Sequence, residues 1–495
     1  MVFSSIVFLF VFLPPVLLIY YLLLGLASRG WRHWFVTLAS YLFYGWANPW
    51  FMALMLLSTG IDYLCGLWMT GGFSRSTSGG ELPLLPPRGT PRSRSQRAAL
   101  ISSLVSNLSL LGFFKYFNFG IDTWNAVAAA LGFHGASLDV TLRVALPLGI
   151  SFYTFQSMSY SIDVYRGEAR AIRNFGDFAC YVSMFPQLVA GPIIRFQEVA
   201  DQIAERSHTL TKFARGVAFF AFGMAKKILL ADPCGAVADT CFGAWRADFA
   251  DAWIGLLAYA FQIYFDFSAY SDMAIGLGLM LGFTFAKNFD SPYRSASVTE
   301  FWRRWHLSLS NWLRDYLYIP LGGNRLGTRR TYANLMTVML LGGLWHGASW
   351  NFVAWGGMHG LALALERALA GRRQRGDSAT GRSRPLRVAV TFLWVLLAWV
   401  PFRAPDLAAT LRYWGSLFGL GTSDAAAGLV AGMIRTPYHL GAIAVAAVVA
   451  FAGVQTWDFT RRLTAPRALL ALALLVLSLA LLAATSFHPF IYFIF

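Results

Sequence analysis

The sequence predicts an all-α fold, a polytopic transmembrane helix bundle that includes a re-entrant segment and an interfacial amphipathic helix. Three observations carry this reading. Hydrophobic residues make up 57% of the 495 and charged residues 13%, with a mean hydropathy of +0.53, too apolar for a soluble chain. Apolar windows of about 17 to 23 residues, long enough to cross roughly 30 Å of hydrocarbon as helix, recur along almost the whole length. The basic residues gather in short loops between those windows, as the positive-inside rule produces.

Taken in order, the opening "MVFSSIVFLFVFLPP" lacks a basic n-region and its apolar run continues to about residue 25, which reads as an uncleaved span starting outside. Windows follow at 33–48 and 50–70, then a polar stretch, 71–97, with five Arg against Glu81. Further windows lie at 98–116, 141–162, 176–195, 213–231 and 252–282, and beyond them at 332–347 and 350–369. A second polar stretch, 371–387, separates these from windows at 388–403, 438–457 and 467–486. Both polar stretches are read as cytoplasmic basic loops, and neither is long enough to be a domain, so residues 1–495 read as one membrane domain.

The net charge of +16 raises nucleic-acid binding, but the arginines sit in loops beside spans and not on a continuous patch; the partners they imply are membrane lipids. The four cysteines, Cys65, Cys180, Cys234 and Cys241, form no C-x-x-C pair and no disulfide framework, and read as small buried apolar residues.

Counting crossings with the N-terminus outside and the basic loops inside works up to about Ser207 and again from Thr331, and fails by one in between. The window 252–282 is read as the cause. Its 31 residues as helix would run about 46 Å, and its middle, "QIYFDFSAYSDM", puts Gln262, Asp266, Ser268, Ser271 and Asp272 at membrane depth. A helix broken there and returning to its own side would restore the count, with the polar groups facing protein or a water-filled cavity.

The segment after it, 297–320, is too polar to cross. On a helical wheel Trp302, Trp305, Leu309, Trp312, Leu313 and Tyr316 share one face, while Arg303, Arg304, Asn311, Arg314 and Asp315 lie opposite, the pattern of an interfacial amphipathic helix. His306 falls at the margin of the apolar face. "PLGGN" then ends the element.

In "LMTVMLLGGLWHGASWNFVAWGGMHG" an ionisable residue, His346, closes one apolar segment before the next begins. A histidine satisfied by a backbone carbonyl at a helix contact is the bland reading. Against it, ionisable groups at this depth are functional by default, and a buried imidazole held neutral can act as a base. Gly342, Gly343 and Gly347 allow close backbone approach, and Trp345, Ser349 and Trp350 could line a pocket. His359, on the next span, reads as a packing or hydrogen-bonding residue. Two histidines without thiols make a poor zinc site, so no metal is assigned. "HGASLD", His134 to Asp139, matches the H-x-x-x-x-D pattern of other acyltransferases but falls in a linker. No Walker loop, nucleophile elbow or H-E-x-x-H occurs. General-base transfer is left: a neutral His takes the proton of an acceptor hydroxyl, which attacks an activated acyl carbonyl such as a thioester.

"YFDFSAYSDMAIGLGLMLGF", "NFDSPYRSASVTEFWRRWHLSLSNWLRDYLYIPLGGNR" and "LLGGLWHGASWNFVAWGGMHG" resemble the signature blocks of the membrane-bound O-acyltransferase (MBOAT) family. The opening residues, "LPLGISFYTFQSMSYSIDVYRG" and "MFPQLVAGPIIRF" are similar to its bacterial alginate O-acetylation branch, so the likeness covers most of residues 1–370. The Arg/Pro-rich loop at 71–97 is no part of these blocks. The resemblance implies a bundle around a central channel, with His346 as the active histidine and His306 as the second one. It implies no bound cofactor, a cytoplasmic donor (acetyl-CoA or a carrier thioester), a bacterial inner-membrane location, a periplasmic acetyltransferase partner and an exopolysaccharide acceptor. Gln262, Asp266, Ser268, Asp272, Asn311, Trp345 and Ser349 are then expected along the channel. D-alanyl transfer to teichoic acid and acetylation of peptidoglycan or cellulose are alternatives on the same fold. A secondary transporter, also built on broken helices with polar residues at mid-depth, is the alternative of another class.

Overall fold

The computed structural model describes all residues except 27, 47, 74–81, 139–142, 245–246, 373–382, 421–424, 485–488 and 492–495. Residues 74–81 of the first basic loop, 373–382 of the second, and Asp139 of the H-x-x-x-x-D match therefore lie outside the described residues. Among the described residues the regular structure is helical and no strand occurs, which bears out the all-α class. The chain divides into two compact units, one of residues 1–213 with 277–285, the other of 214–276 with 286–495.

The first unit contains α1 (Leu13–Leu26), α2 (Arg29–Gly45), α3 (Trp50–Thr70), α4 (Arg94–Ala130), α5 (Ile150–Arg166), α6 (Phe175–Ser183), α7 (Phe185–Leu188) and α8 (Phe196–Ala204). A capping box starts α4: the Gln96 N–H donates to Ser93 Oγ and the Ser93 N–H to Gln96 Oε1. Gly167, at φ +74, ends α5 where an added Cβ would meet the Leu85 and Pro86 carbonyls, so only glycine fits. The window expected to cross at 176–195 is broken instead. Pro186 has no N–H to continue α6, and Gly191–Pro192 follows, leaving helices of 9 and 4 residues.

In the second unit α9 (Leu210–Ala225), which begins in the first, runs through a π-helical turn (Lys226–Ala231) into α10 (Asp232–Gly243). α11 (Phe249–Met280) is one unbroken helix of 32 residues. This corrects the re-entrant reading of 252–282. The chain need not break to shelter Asp266, Ser271 and Asp272, because side chains distant in sequence satisfy them. Lys227 Nζ donates to Asp266 at 2.6 Å, Lys226 Nζ to Asp272 at 2.6 Å, and Asn288 Nδ2 to Ser271 Oγ at 2.8 Å.

The single helix expected over 297–320 is also corrected. It forms α12 (Val298–Trp302) and α13 (Leu307–Leu313), which passes into a π-helical turn, Arg314–Tyr318. Two backbone bonds tie the break to a neighbouring stretch: the Leu307 N–H donates to the Asn288 carbonyl and the Asp290 N–H to the Arg304 carbonyl, both at 2.9 Å. The apolar face survives the break, since Trp305, Leu309, Trp312, Leu313 and Tyr316 are all buried.

α14 (Thr328–His346) and α15 (Trp350–Arg372) form a tight hairpin. A Cβ at Gly343 would come within 2.1 Å of the Phe352 carbonyl oxygen, and one at Gly356 within 2.3 Å of the Met339 carbonyl oxygen. There follow α16 (Arg384–Arg403), α17 (Leu407–Leu417), α18 (Ala425–Ile434), α19 (Pro437–Ala452), α20 (Thr456–Phe459) and α21 (Ala465–Ala484). Among the described residues five helical stretches are individually long and apolar enough to cross a membrane: 7–26, α3, α4, α16 and α21. The pair Gly428–Ile434 and Pro437–Ala452, bent by 61°, adds a sixth if it is one span.

Candidate active site

His306 and His346, 40 positions apart in sequence, meet inside the second unit with ring centroids 6.4 Å apart and planes 63° to each other. His346 is the last residue of α14. It is 7% exposed, and three aromatic rings approach it edge to face: Trp345 at 5.0 Å, Trp355 at 5.2 Å and Phe402 at 5.3 Å. The glycine hairpin sets this position. At Gly347 an added Cβ would fall within 2.0 Å of the Phe352 ring, so the chain can turn there only without a side chain.

His306 arrives by a different route. It sits in the left-handed region at φ 44°, ψ 56°, and it shares positive φ with Ser291 alone among described non-glycine residues. Such a conformation persists only where surrounding contacts over-determine it. Here the backbone bonds from Leu307 to Asn288 and from Asp290 to Arg304 do so, together with the Arg304 guanidinium, 2.9 Å from Glu300. The turn carries the ring from the expected margin of the helix to complete burial. It lies 4.6 Å from the Phe267 ring and 6.2 Å from Trp345, centroid to centroid.

Asn288 holds the other side of His306. Its Oδ1 is 3.3 Å from His306 Nδ1 and accepts from the Ser308 N–H at 3.2 Å and the Ser308 hydroxyl at 2.9 Å. His306 Nε2 is buried with no hydrogen-bond partner among the described residues. Two buried imidazoles in an aromatic enclosure, one with a nitrogen that no described residue uses, can exchange protons with a bound hydroxyl group.

The remaining expected site residues divide. Trp345 is in ring contact with both histidines. Ser349, half-buried, stands just before α15, and Asn311, half-buried, lies on α13. Ser268, Ser271 and Asp272 line a small enclosed cavity with Lys226, Lys287 and Asn288. Asp266 belongs to a buried ion network: Lys227 Nζ reaches both Asp266 and Asp232, at 2.6 and 2.9 Å, and the Ile491 N–H donates to Asp266 Oδ2 at 2.6 Å. Gln262 presses on Gly235, where an added Cβ would be 2.7 Å from its Nε2. His359 accepts a hydrogen bond from Trp302 Nε1 at 3.3 Å. No group of three or more His, Cys, Asp or Glu gathers as a metal site among the described residues, and the four cysteines are buried and free.

Asn288, Trp355, Phe402 and the two lysines escape the sequence reading. Lys226 and Lys227 could have been found, as two charges inside an apolar window. Asn288 carries no signal of its own, since its importance depends on a tertiary contact.

The profile of the membrane-bound O-acyltransferase family matches residues 153–400. The chain is 48% identical to a probable alginate O-acetylase AlgI of Azotobacter vinelandii, over 85% of this chain and 79% of that protein. It is 44% identical to a probable alginate O-acetylase AlgI of Pseudomonas putida over the full length of both. It is 35% identical to a peptidoglycan O-acetyltransferase of Helicobacter pylori, over 85% of this chain and 80% of that protein.

Proposed function

Because this chain belongs to the membrane-bound O-acyltransferase family, and is accordingly a multi-pass membrane O-acyltransferase, we propose that it moves acetyl groups for O-acetylation of an alginate-like exopolysaccharide. The donor in this reading is a thioester on the cytoplasmic side of the bacterial inner membrane, acetyl-CoA or an acetylated carrier. A periplasmic acetyltransferase completes delivery to the polymer. The meeting of His306 and His346 in a buried aromatic enclosure is the single observation that carries it.

His346 is the general base. Its neutral imidazole removes the proton of an acceptor hydroxyl as the oxygen attacks the thioester carbonyl, and the imidazolium returns that proton to the departing sulfur as the tetrahedral intermediate collapses. The Trp345, Trp355 and Phe402 rings hold the imidazole in place around that step. His306 orients the donor or acceptor through its unused nitrogen. Trp345, Ser349 and Asn311 contact the substrates, as does Ser268 from its cavity. Gln262, Asp266 and Asp272 act on the frame, the two carboxylates through their lysine partners.

Full-length protein in membrane vesicles, given labelled acetyl-CoA, tests the reading. Release of free thiol is expected with wild-type protein and is expected to vanish in His346→Ala; equal release by both would overturn it. Repeating the assay with an acetylated carrier protein separates the two donors.

A further inference from the structure

We infer that Asn288 is a positioning residue that fixes the proton of neutral His306 on Nδ1, so that His306 works through a bare Nε2 as a hydrogen-bond and proton acceptor. The inference rests on the two-histidine reading above and adds to it a direction for the second histidine.

The orientation of the Asn288 amide decides the tautomer. The Ser308 backbone N–H can only donate, and it points at Oδ1 from 3.2 Å. The Ser308 hydroxyl donates to the same oxygen at 2.9 Å. On the far side Nδ2 donates to Ser271 Oγ at 2.8 Å. Rotating the amide by 180° would set its NH2 against the Ser308 N–H, donor against donor, so the oxygen stays toward His306. His306 Nδ1, 3.3 Å from that oxygen, is held there only if it carries the hydrogen; a bare Nδ1 would oppose lone pair to lone pair. Ser308 Oγ, also 3.3 Å from Nδ1, has spent its own hydrogen on Asn288 and can share the same N–H as a second acceptor. A neutral imidazole with hydrogen on Nδ1 has none on Nε2, the buried nitrogen that no described residue uses.

Asn288 is itself held. Its carbonyl accepts from the Leu307 N–H at 2.9 Å, and the Asp290–Arg304 bond locks the same two stretches two residues on. Among the described residues the rings packed on His306 are Phe267, Phe289, Trp345 and His346, of which His346 alone titrates. The acceptor at Nδ1 therefore sets the tautomer without competition from a nearby carboxylate in that set.

Solid-state nitrogen NMR on full-length protein labelled at histidine, in lipid, reads the tautomer directly, with the His306 signals identified by their loss in His306→Gln. Wild type should show a single neutral His306 form protonated at Nδ1, and Asn288→Ala should yield a mixture of tautomers while the other histidine signals stay in place. A wild-type proton on Nε2, or an unchanged pattern in Asn288→Ala, overturns the inference. In the thioester assay Asn288→Ala should lower turnover by about tenfold to a hundredfold. Asn288→Asp, which keeps an acceptor, should restore most of it with the acid limb of the pH profile moved upward. Loss of activity in His346→Ala alongside the wrong His306 tautomer would sink this inference and leave the proposed function standing. Full activity in His346→Ala would do the reverse.

Discussion

The Gly343 backbone lies so close to Phe352 that a methyl group added at Gly343 would stand 2.1 Å from the Phe352 carbonyl oxygen, whereas one at Gly342 would meet only Leu313 Cδ1, at 3.4 Å. The two neighbours therefore separate helix propensity from packing. Gly343→Ala must open the hairpin that ends in His346 and should lower stability by about 1–3 kcal/mol, the usual cost of overpacking. Gly342→Ala should be neutral or slightly stabilising. Thermal unfolding in detergent compares them, and equal effects would mean the hairpin is looser than described.

Lys227 should matter for stability more than for chemistry. Its side chain is 3% exposed, and its ammonium serves two carboxylates, Asp266 and Asp232. Lys227→Met removes the ammonium that faces both carboxylates and should cost about 3–5 kcal/mol, because breaking a buried pair from one side leaves uncompensated charge. Adding Asp266→Leu should recover part of the loss. A double variant less stable than the sum of the singles would contradict the network.

The unbroken α11, about 48 Å long at 1.5 Å per residue, predicts opposite sides for its flanks. Single cysteines at Phe249 and Lys287 should label from opposite faces of the membrane, with Lys287 on the face of the basic loops; the four native cysteines are buried. Labelling from one face would revive the re-entrant reading. The missing crossing is then accounted for by residues 175–195. The longer of the two helices there, α6, has nine residues and covers only about 14 Å.

His208 adds a pH dependence. It lies in the loop before α9, 2.8 Å from the Tyr20 hydroxyl. Burial first, then Arg206 and Arg32, push its imidazole down from the ordinary 6.5 to about 4. Between those values the unfolded chain binds a proton that the folded one refuses, so the stability contribution is intact above pH 6.5 and is lost as pH falls toward 4. The unfolding midpoint should drop less steeply across that window in His208→Gln than in wild type. Superimposable slopes would remove His208 from the account.

Most helices, the buried face of 302–316 and the placement of His346 at a helix end are legible in the sequence because each is written in local periodicity: Trp305, Leu309, Trp312 and Tyr316 recur at helical spacing and are buried. The breaks are less legible. Pro186 and Gly191–Pro192 signal one of them locally. The turn at His306 has no such mark, because it is imposed by bonds to Asn288 and Asp290, more than ten residues away. The continuity of α11 is hidden for the same reason: polar residues that look fit to break a span have partners in Lys226, Lys227 and Asn288, which the local pattern does not pair with them.

Acetylation of the exported polysaccharide, measured in cells whose only copy of this protein carries His346→Ala, tests the central claim most directly. With the variant present in the membrane at wild-type level, the account predicts polysaccharide without O-acetyl groups. Acetylation retained at the wild-type level would contradict it.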